Sequence, residues 1–295
     1  MSERARVLRR TGVAVGGLVI AAAGTVAIGY AAWRRATASR VEALDAEARR
    51  RRAPDGQPFG KSKAANLPAP VARYLAFSLP EGQRRIRTAR IHWTGEMRLQ
   101  PDAPWSPYTA EQRFTSSPPG FVWDATVRMM PLVPVRVRDS YVGGEGRMLG
   151  RLASVVTVVN VAGTPEMAQG ALARWLGEAA WLPTAFRPGE GVAWEAVDDS
   201  TARATVTDGA VGVSADFHFA PSGALTRMTA MRYRDVNGHG VLTPFEGRYS
   251  RYARFAGMML PTSAEVAWLL PEGRFAYWRG TPSAVRYELA LPALP

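Results

Sequence analysis

The amino-acid sequence predicts a mainly β protein, with a large antiparallel sheet curled into an incomplete barrel, one long helix against it and a transmembrane helix at the N-terminus. Three observations lead to this prediction. Residues 11–33 carry no charge, the chain beyond residue 67 alternates apolar and polar residues with period two, and a single long amphipathic segment interrupts that alternation.

Composition narrows the class of protein. The chain has 295 residues, of which 47% are hydrophobic and 21% charged, as is typical of a globular protein with its own core. Cysteine is absent, which excludes disulfides, cysteine-ligated zinc and thiol catalysis. Residues 1–63 hold 13 Lys and Arg against five Asp and Glu, about two thirds of the net charge of +12. Because the rest of the chain is nearly balanced, nucleic acid is not an expected partner.

The first 66 residues divide into a basic N-terminus (1–10), a transmembrane helix (11–33), a basic juxtamembrane helix (34–53) and a linker (54–66). A helix of 23 residues is about 34 Å long, enough to cross a hydrocarbon core of ~30 Å. Arginine pairs close both ends of the uncharged run, and Tyr30 and Trp33 occupy positions typical of interfacial aromatics. A cleaved signal peptide is the alternative. The membrane is therefore an expected partner, and we expect a single-pass protein of the cytoplasmic membrane with its body outside the cytoplasm.

Residues 67–295 are predicted to form one antiparallel β-domain. Alternation is clearest over residues 91–99, 121–129 and 211–219, where one face of each strand is apolar and the other polar. Turn sequences such as Asn237-Gly238 separate the candidate strands. About a dozen strands in this arrangement favour a sheet that curls towards a barrel.

One amphipathic helix interrupts the strands. Thr164 is a suitable N-cap, Pro165 suits the first helical position and Glu166 complements the helix dipole. An apolar stripe then runs from Ala168 to Ala179, and Pro183 ends the helix. A helix of this kind is expected to lie against the concave face of the sheet.

Catalytic and metal-binding patterns are absent from the sequence. The three histidines His92, His218 and His239 lack ligand spacing, so no metal site is predicted. There is no nucleotide-binding glycine motif and no nucleophile elbow. We therefore assign no catalytic residue and no cofactor.

Asp139 is the polar residue that stands out. It shares strand parity with Val135, Val137 and Tyr141, which places a carboxylate on the apolar face. A buried carboxylate needs a partner. A structural ion pair and a contact to a ligand are both consistent with this position.

The nine tryptophans are the other signal, eight of them in the predicted β-domain. They suit either core packing or the lining of an apolar cavity inside a curled sheet. The candidate ligand-binding residues are Trp123, Arg138, Asp139, Tyr141, Trp175, Glu178, Trp181, Trp268 and Trp278.

A series of short motifs resembles a family of bacterial proteins of unknown function that are often membrane-anchored at the N-terminus. The motifs are Phe121-Val122-Trp123-Asp124, Val137-Arg138-Asp139-Ser140-Tyr141, Trp181-Leu182-Pro183-Thr184 and Tyr277-Trp278-Arg279-Gly280. The resemblance covers residue 67 to the C-terminus and implies no activity. At the level of the fold, the strand and helix pattern is also similar to the half-barrels of periplasmic lipoprotein carriers and related lipid-binding proteins.

Three hypotheses on function follow. The first is a membrane-tethered binding module that holds an apolar small molecule, such as a lipid or lipid-linked molecule, without catalysis. The second is a scaffold with a filled core that binds an envelope protein. The third is a hydrolase that uses Asp139, Glu178 or Glu195 as acid or base.

Overall fold

The computed structural model describes residues 3–51, 58–60, 64, 66–130 and 133–290, with the backbone alone described for residues 3–20. Within these ranges the α-helices are α1 (Glu3–Arg50), α2 (Ala69–Ser78) and α3 (Pro165–Glu178). The strands are β1 (Ile86–Met97), β2 (Ser106–Thr115), β3 (Gly120–Met130), β4 (Val133–Val142), β5 (Glu145–Leu152), β6 (Val156–Ala162), β7 (Val192–Ala196), β8 (Thr201–Asp208), β9 (Val211–Phe219), β10 (Leu225–Val236), β11 (His239–Phe255), β12 (Met258–Leu270) and β13 (Gly273–Leu289).

The strands form a single 13-stranded antiparallel sheet in the order β6-β5-β4-β3-β2-β1-β13-β12-β11-β10-β9-β8-β7. The chain runs outwards from β1 to β6, crosses through α3, and returns from β7 to β13. Pairing of β1 with β13 joins the two halves at the centre of the sheet. Helix α3 therefore connects the two edge strands of one meander.

The sheet curls until its two halves meet at one end. The Tyr141 hydroxyl on β4 donates to Asp208 Oδ2 on β8 at 3.0 Å, although these strands lie far apart in the sheet order. Arg51 binds the other oxygen of Asp208 at 2.7 Å. The predicted antiparallel half-barrel is confirmed.

Helix α3 fills part of the concave face. As predicted, the Thr164 hydroxyl caps the helix by accepting from the Met167 amide at 3.1 Å. The apolar stripe of α3 is buried, including Leu172 and Leu176, which have no exposed surface. A Cβ on Gly146 of β5 would lie against the Met167 carbonyl and 2.9 Å from the Ala168 nitrogen, so only glycine lets α3 approach this closely.

The expectation of one long helix is wrong. The helix against the sheet is 14 residues long and is one of three α-helices in the described ranges, so the fold does not have one long helix. The longest described helix is α1, which continues unbroken past residue 33 to Arg50.

The prediction that residues 11–33 form a transmembrane helix is also wrong. Among the described residues no helix is both long and apolar enough to cross a bilayer. Trp33, expected at a membrane interface, is 1% exposed and donates from Nε1 to Asp124 Oδ1 on β3 at 2.9 Å. The localisation that depended on this anchor, in the cytoplasmic membrane with an extracytoplasmic body, is therefore not supported either.

The C-terminal half of α1 packs on the convex face of the sheet. Leu44 is buried against Val122 and Val142. The predicted basic helix over residues 34–53 is thus docked on the domain up to Arg50. Most of the predicted linker over residues 54–66 lies outside the described residues, although Phe59 within it is buried.

Candidate functional site

Aromatic rings line the concave face of the half-barrel. Trp93 on β1 packs edge-on against Trp181 at 4.8 Å and against Trp278 at 5.7 Å between ring centroids. Tyr108 on β2 stacks on Trp278 at 5.9 Å and meets Trp123 at 5.7 Å. These contacts make one continuous aromatic wall across β3, β2, β1 and β13.

A β-bulge extends this wall. Val266 on β12 pairs with Trp278, whereas the next residue, Ala267, pairs with Ala276, so Tyr277 is an extra residue on β13. Tyr277 stacks on Trp268 at 5.9 Å between centroids. Trp268, Tyr277 and Trp278 remain partly exposed although they belong to the aromatic wall.

A polar chain crosses the apolar interior beneath α3. Arg174 donates from Nη1 to Asp139 Oδ2 at 2.7 Å and from Nε to Glu178 Oε1 at 2.9 Å. Gln112 Nε2 donates to the other oxygen of Glu178 at 2.6 Å, and Trp93 Nε1 donates to Gln112 Oε1 at 2.8 Å. Burial opposes the charge on Arg174, but attraction to Glu178 and Asp139 outweighs it and raises the pKa of the guanidinium.

Several polar atoms beside these hydrogen-bonded side chains lack a hydrogen-bond partner among the described residues. They are Asp139 Oδ1, Trp123 Nε1 and the Tyr108 hydroxyl, all buried. Asp139 and Trp123 are directly opposite each other on β4 and β3, and the Tyr108 ring contacts the Trp123 ring. Buried polar atoms ordinarily find a hydrogen bond. This cluster can therefore bind a polar group placed within the interior.

The sheet opens between β9 and β10. Pairing of these strands ends at Asp216 and Thr229, although both strands continue beyond that point. A cavity of about 560 Å³ occupies the opening next to α3. Its apolar lining includes Val213, Ala215, Ala230, Met231, Phe245 and Leu269.

The cavity wall carries one cation without an acidic partner. Arg203 and Asp216 at its rim form a two-bonded ion pair at 2.7 and 2.9 Å and neutralise each other. Arg232 instead donates to the Gly170 carbonyl of α3 at 2.7 Å, and its guanidinium lies 4.6 Å from the centre of the Phe245 ring. No carboxylate lies within ion-pair distance of Arg232 in the described ranges.

The structure brings most of the predicted site residues to the concave side. Trp123, Asp139, Glu178, Trp181, Trp268 and Trp278 all contribute to the aromatic wall or the polar chain. The buried, paired acid expected at Asp139 is found: the residue is 4% exposed and bound by Arg174.

Three predicted residues lie elsewhere. Arg138 extends from the opposite face of β4, where it donates to the Thr37 hydroxyl of α1 at 2.9 Å. Trp175 donates to the Thr115 carbonyl and stacks on Phe114. Tyr141 binds Asp208 at the closed end of the half-barrel.

Sequence reasoning missed Arg174, Arg232 and Gln112. Arg174 precedes Glu178 by one helical turn, a spacing that predicts an ion pair between them. Arg232 shares the strand parity of the inward residue Met228, which predicts that its side chain also faces inwards. For Gln112 the only indication in the sequence was its position on the inward-facing side of its strand. In the described ranges, no three histidine, aspartate or glutamate side chains cluster as metal ligands.

The architecture is that of an antiparallel half-barrel with an aromatic interior that a helix partly fills. A family model described as a family of unknown function (DUF6544) matches residues 57–280, and the chain belongs to this family. The predicted membership of a family of unknown function is thus confirmed. No curated protein matches the chain.

Two solved structures are similar to this chain. The LolA superfamily protein from Nitrosomonas europaea has a TM-score of 0.40 and 13% identity, and the match covers 76% of this chain and 93% of that one. A DUF1329 family protein from Desulfovibrio piger has a TM-score of 0.41 and 12% identity, with 77% and 95% covered.

Proposed function

We propose that this protein binds an apolar small molecule, such as a lipid, in the concave interior of the half-barrel. The observation that carries the proposal is an aromatic wall that stays partly exposed beside an opening in the sheet. Trp268, Tyr277 and Trp278 are only partly buried, whereas a filled core would bury them.

The chemistry of the interior supports an apolar occupant. The wall is mainly indole, phenol and phenyl rings, and a cavity of about 560 Å³ falls within the size range of small-molecule sites. The polar groups that the interior offers are the chain of side chains from Asp139 to Gln112 and, at the opening, Arg232. This combination is typical of pockets that use apolar area for affinity and a few polar groups for orientation.

Nothing in the interior favours hydrolysis over binding. Asp139 and Glu178 both bind the same cation, Arg174. No histidine or hydroxyl side chain forms a hydrogen bond with either carboxylate in the part of the chain that the structure describes. Glu195 is exposed on the edge strand β7, apart from this pair.

A second candidate function is protein binding at the edge strand β6. Val156, Val158 and Val159 on this strand are 57%, 54% and 40% exposed. An exposed apolar edge strand is a template for pairing with another chain. This candidate corresponds to the scaffold hypothesis, and it requires no space in the interior.

Native mass spectrometry of the purified full chain, with hydrophobic dye uptake, tests the proposal. We expect an apolar molecule to co-purify and the protein to take up the dye. Ala230→Trp, which fills the opening, should reduce uptake at least several-fold, whereas Ser250→Trp at an exposed position of β11 should not. A wild-type protein that carries no ligand and takes up no dye would contradict the proposal and favour the scaffold.

A further inference from the structure

We propose that the interior ligand is an anionic amphiphile, an apolar chain with a carboxylate or phosphate group, and that Arg232 binds the acidic group at the opening between β9 and β10. This inference rests on the proposed function and adds the polarity and orientation of the ligand. It is argued from the charges around the opening.

Arg232 is positioned to bind an anion. Its guanidinium lies over the Phe245 ring and 5.9 Å from the centre of the Trp268 ring, with the Tyr277 hydroxyl beside it. The Gly170 carbonyl and the Tyr277 hydroxyl each interact with one of its N–H groups, whereas Nε is buried without a hydrogen-bond partner. A guanidinium has five N–H donors in a planar fork that matches carboxylate and phosphate oxygens. Arg232 therefore retains donors for a ligand.

A second arginine follows on the same strand. Arg234 shares the parity of Arg232 in the uninterrupted register of β10 with β11, and its Nε is also buried without a partner. No ion pair joins Arg234 to a carboxylate within the described parts of the chain. Because Arg203 and Asp216 neutralise each other at the rim, the opening carries an uncompensated positive charge.

The deeper interior has the opposite net charge. Asp139 and Glu178 share Arg174, which leaves one negative charge in excess beneath α3. An anion is attracted to the opening and repelled from the deep end, because Coulomb interactions are strong where water is excluded. The acidic group would then lie at Arg232 and the apolar chain would lie along the aromatic wall.

Calorimetric titration of the full chain with ligands of one chain length tests the inference. The probes are dodecanoate, dodecyl phosphate, 1-dodecanol and inorganic phosphate. We expect one or both amphiphilic acids to bind at least tenfold more tightly than 1-dodecanol, and inorganic phosphate to bind far more weakly. The preferred acid then distinguishes a carboxylate from a phosphate head group.

Substitution of the arginine tests its role. Arg232→Gln should weaken binding of the acids about tenfold and leave 1-dodecanol binding unchanged. The matched control is Arg227→Gln, an arginine on β10 with a 45% exposed side chain. The wild-type comparison of acids with the alcohol needs no variant, so the inference stays testable if a variant fails to fold.

The outcomes separate the two proposals. Equal affinity for the acids and the alcohol, or unchanged acid binding by a folded Arg232→Gln protein, would overturn the anionic amphiphile while leaving apolar binding intact. Tight binding of inorganic phosphate alone would also overturn it. Failure of every amphiphile to bind would instead contradict the proposed function itself.

Discussion

Arg174 is the residue on which the polar chain of the interior depends. It binds Asp139 and Glu178 while its guanidinium lies 4.9 Å from the ring centres of both Phe121 and Trp123. Removing charges from water is costly, and an ion pair offsets that cost only with good geometry and further hydrogen bonds. Here Gln112 supplies a further hydrogen bond to Glu178.

Removal of one charge from this cluster should destabilise the fold. Asp139→Asn preserves the shape of the side chain but leaves Arg174 with one carboxylate, and we expect a loss of about 3 kcal/mol in the free energy of unfolding. Urea unfolding at pH 7 measures the loss. Asp199→Asn, at an exposed turn, is the control and should change stability by less than ~0.5 kcal/mol. A similarly small change for Asp139→Asn would contradict the described ion pair.

Glu246 on β11 predicts a dependence of stability on pH. Burial opposes ionisation, but hydrogen bonds from Arg274 and Arg248 outweigh it and lower the pKa of the carboxyl below 4.5. A lowered pKa in the folded state stabilises the protein above the unfolded pKa, and the contribution is lost as the pH falls through the folded pKa. Glu246→Gln should therefore cost about 2 kcal/mol at pH 7.

The pH profile provides the control for this second variant. The stability difference between wild type and Glu246→Gln should shrink as the pH falls below the unfolded-state pKa of glutamate, about 4.3, and vanish once the pH is below the lowered pKa of the folded carboxyl. Urea unfolding at several pH values measures it. A difference that stays constant down to pH 2 would show that the charge of Glu246 does not contribute.

The sequence could predict burial of Asp139 but not its partner. Strand alternation determines which face a residue occupies, so the carboxylate on the apolar face was identifiable. Arg174 lies 35 residues away on a helix whose placement depends on the curl of the whole sheet. Tertiary contacts of this kind are not contained in local periodicity.

At the scale of elements, the position of α3 depends on its close approach to β5. Gly146→Ala would place a methyl group against the backbone of Met167 and Ala168, which cannot move without shifting the helix. We expect a loss of about 2 kcal/mol in the free energy of unfolding, together with altered dye uptake. For stability, Gly212→Ala is the matched control, because its added Cβ would meet nothing closer than 3.8 Å. Equal stability of the two variants would show that α3 does not pack this tightly.

Helix α1 shows why an uncharged run is an incomplete signal. The predicted span ended at Trp33 because arginines follow it, yet the indole is satisfied by Asp124 and its ring is covered by Arg138, whose guanidinium lies 4.8 Å from the ring centre. A tryptophan at this position of a helix suits packing against protein as well as it suits a membrane interface, so the residue alone does not distinguish the two. The N-cap of α3, by contrast, depends on adjacent residues, and the sequence predicted it correctly.

At the scale of the molecule, a continuous meander produces two half-sheets that curl around α3. Alternation predicted the strands and their apolar faces, and the turns between them predicted an antiparallel sheet. The opening between β9 and β10 could not be predicted, because periodicity gives the face of each residue but not where two neighbouring strands separate. A route for a ligand to the aromatic wall could therefore not be predicted from the sequence either.

A crystal structure of the full chain with 12-bromododecanoate tests the central claim most directly, because the anomalous signal of bromine locates the end of the apolar chain. The account predicts the carboxylate at Arg232, the apolar chain along Trp268, Tyr277 and Trp278 on the concave side, and the bromine peak at the end of the aromatic wall away from Arg232. A peak confined to the exposed valines of β6, or no peak in crystals saturated with the ligand, would contradict it.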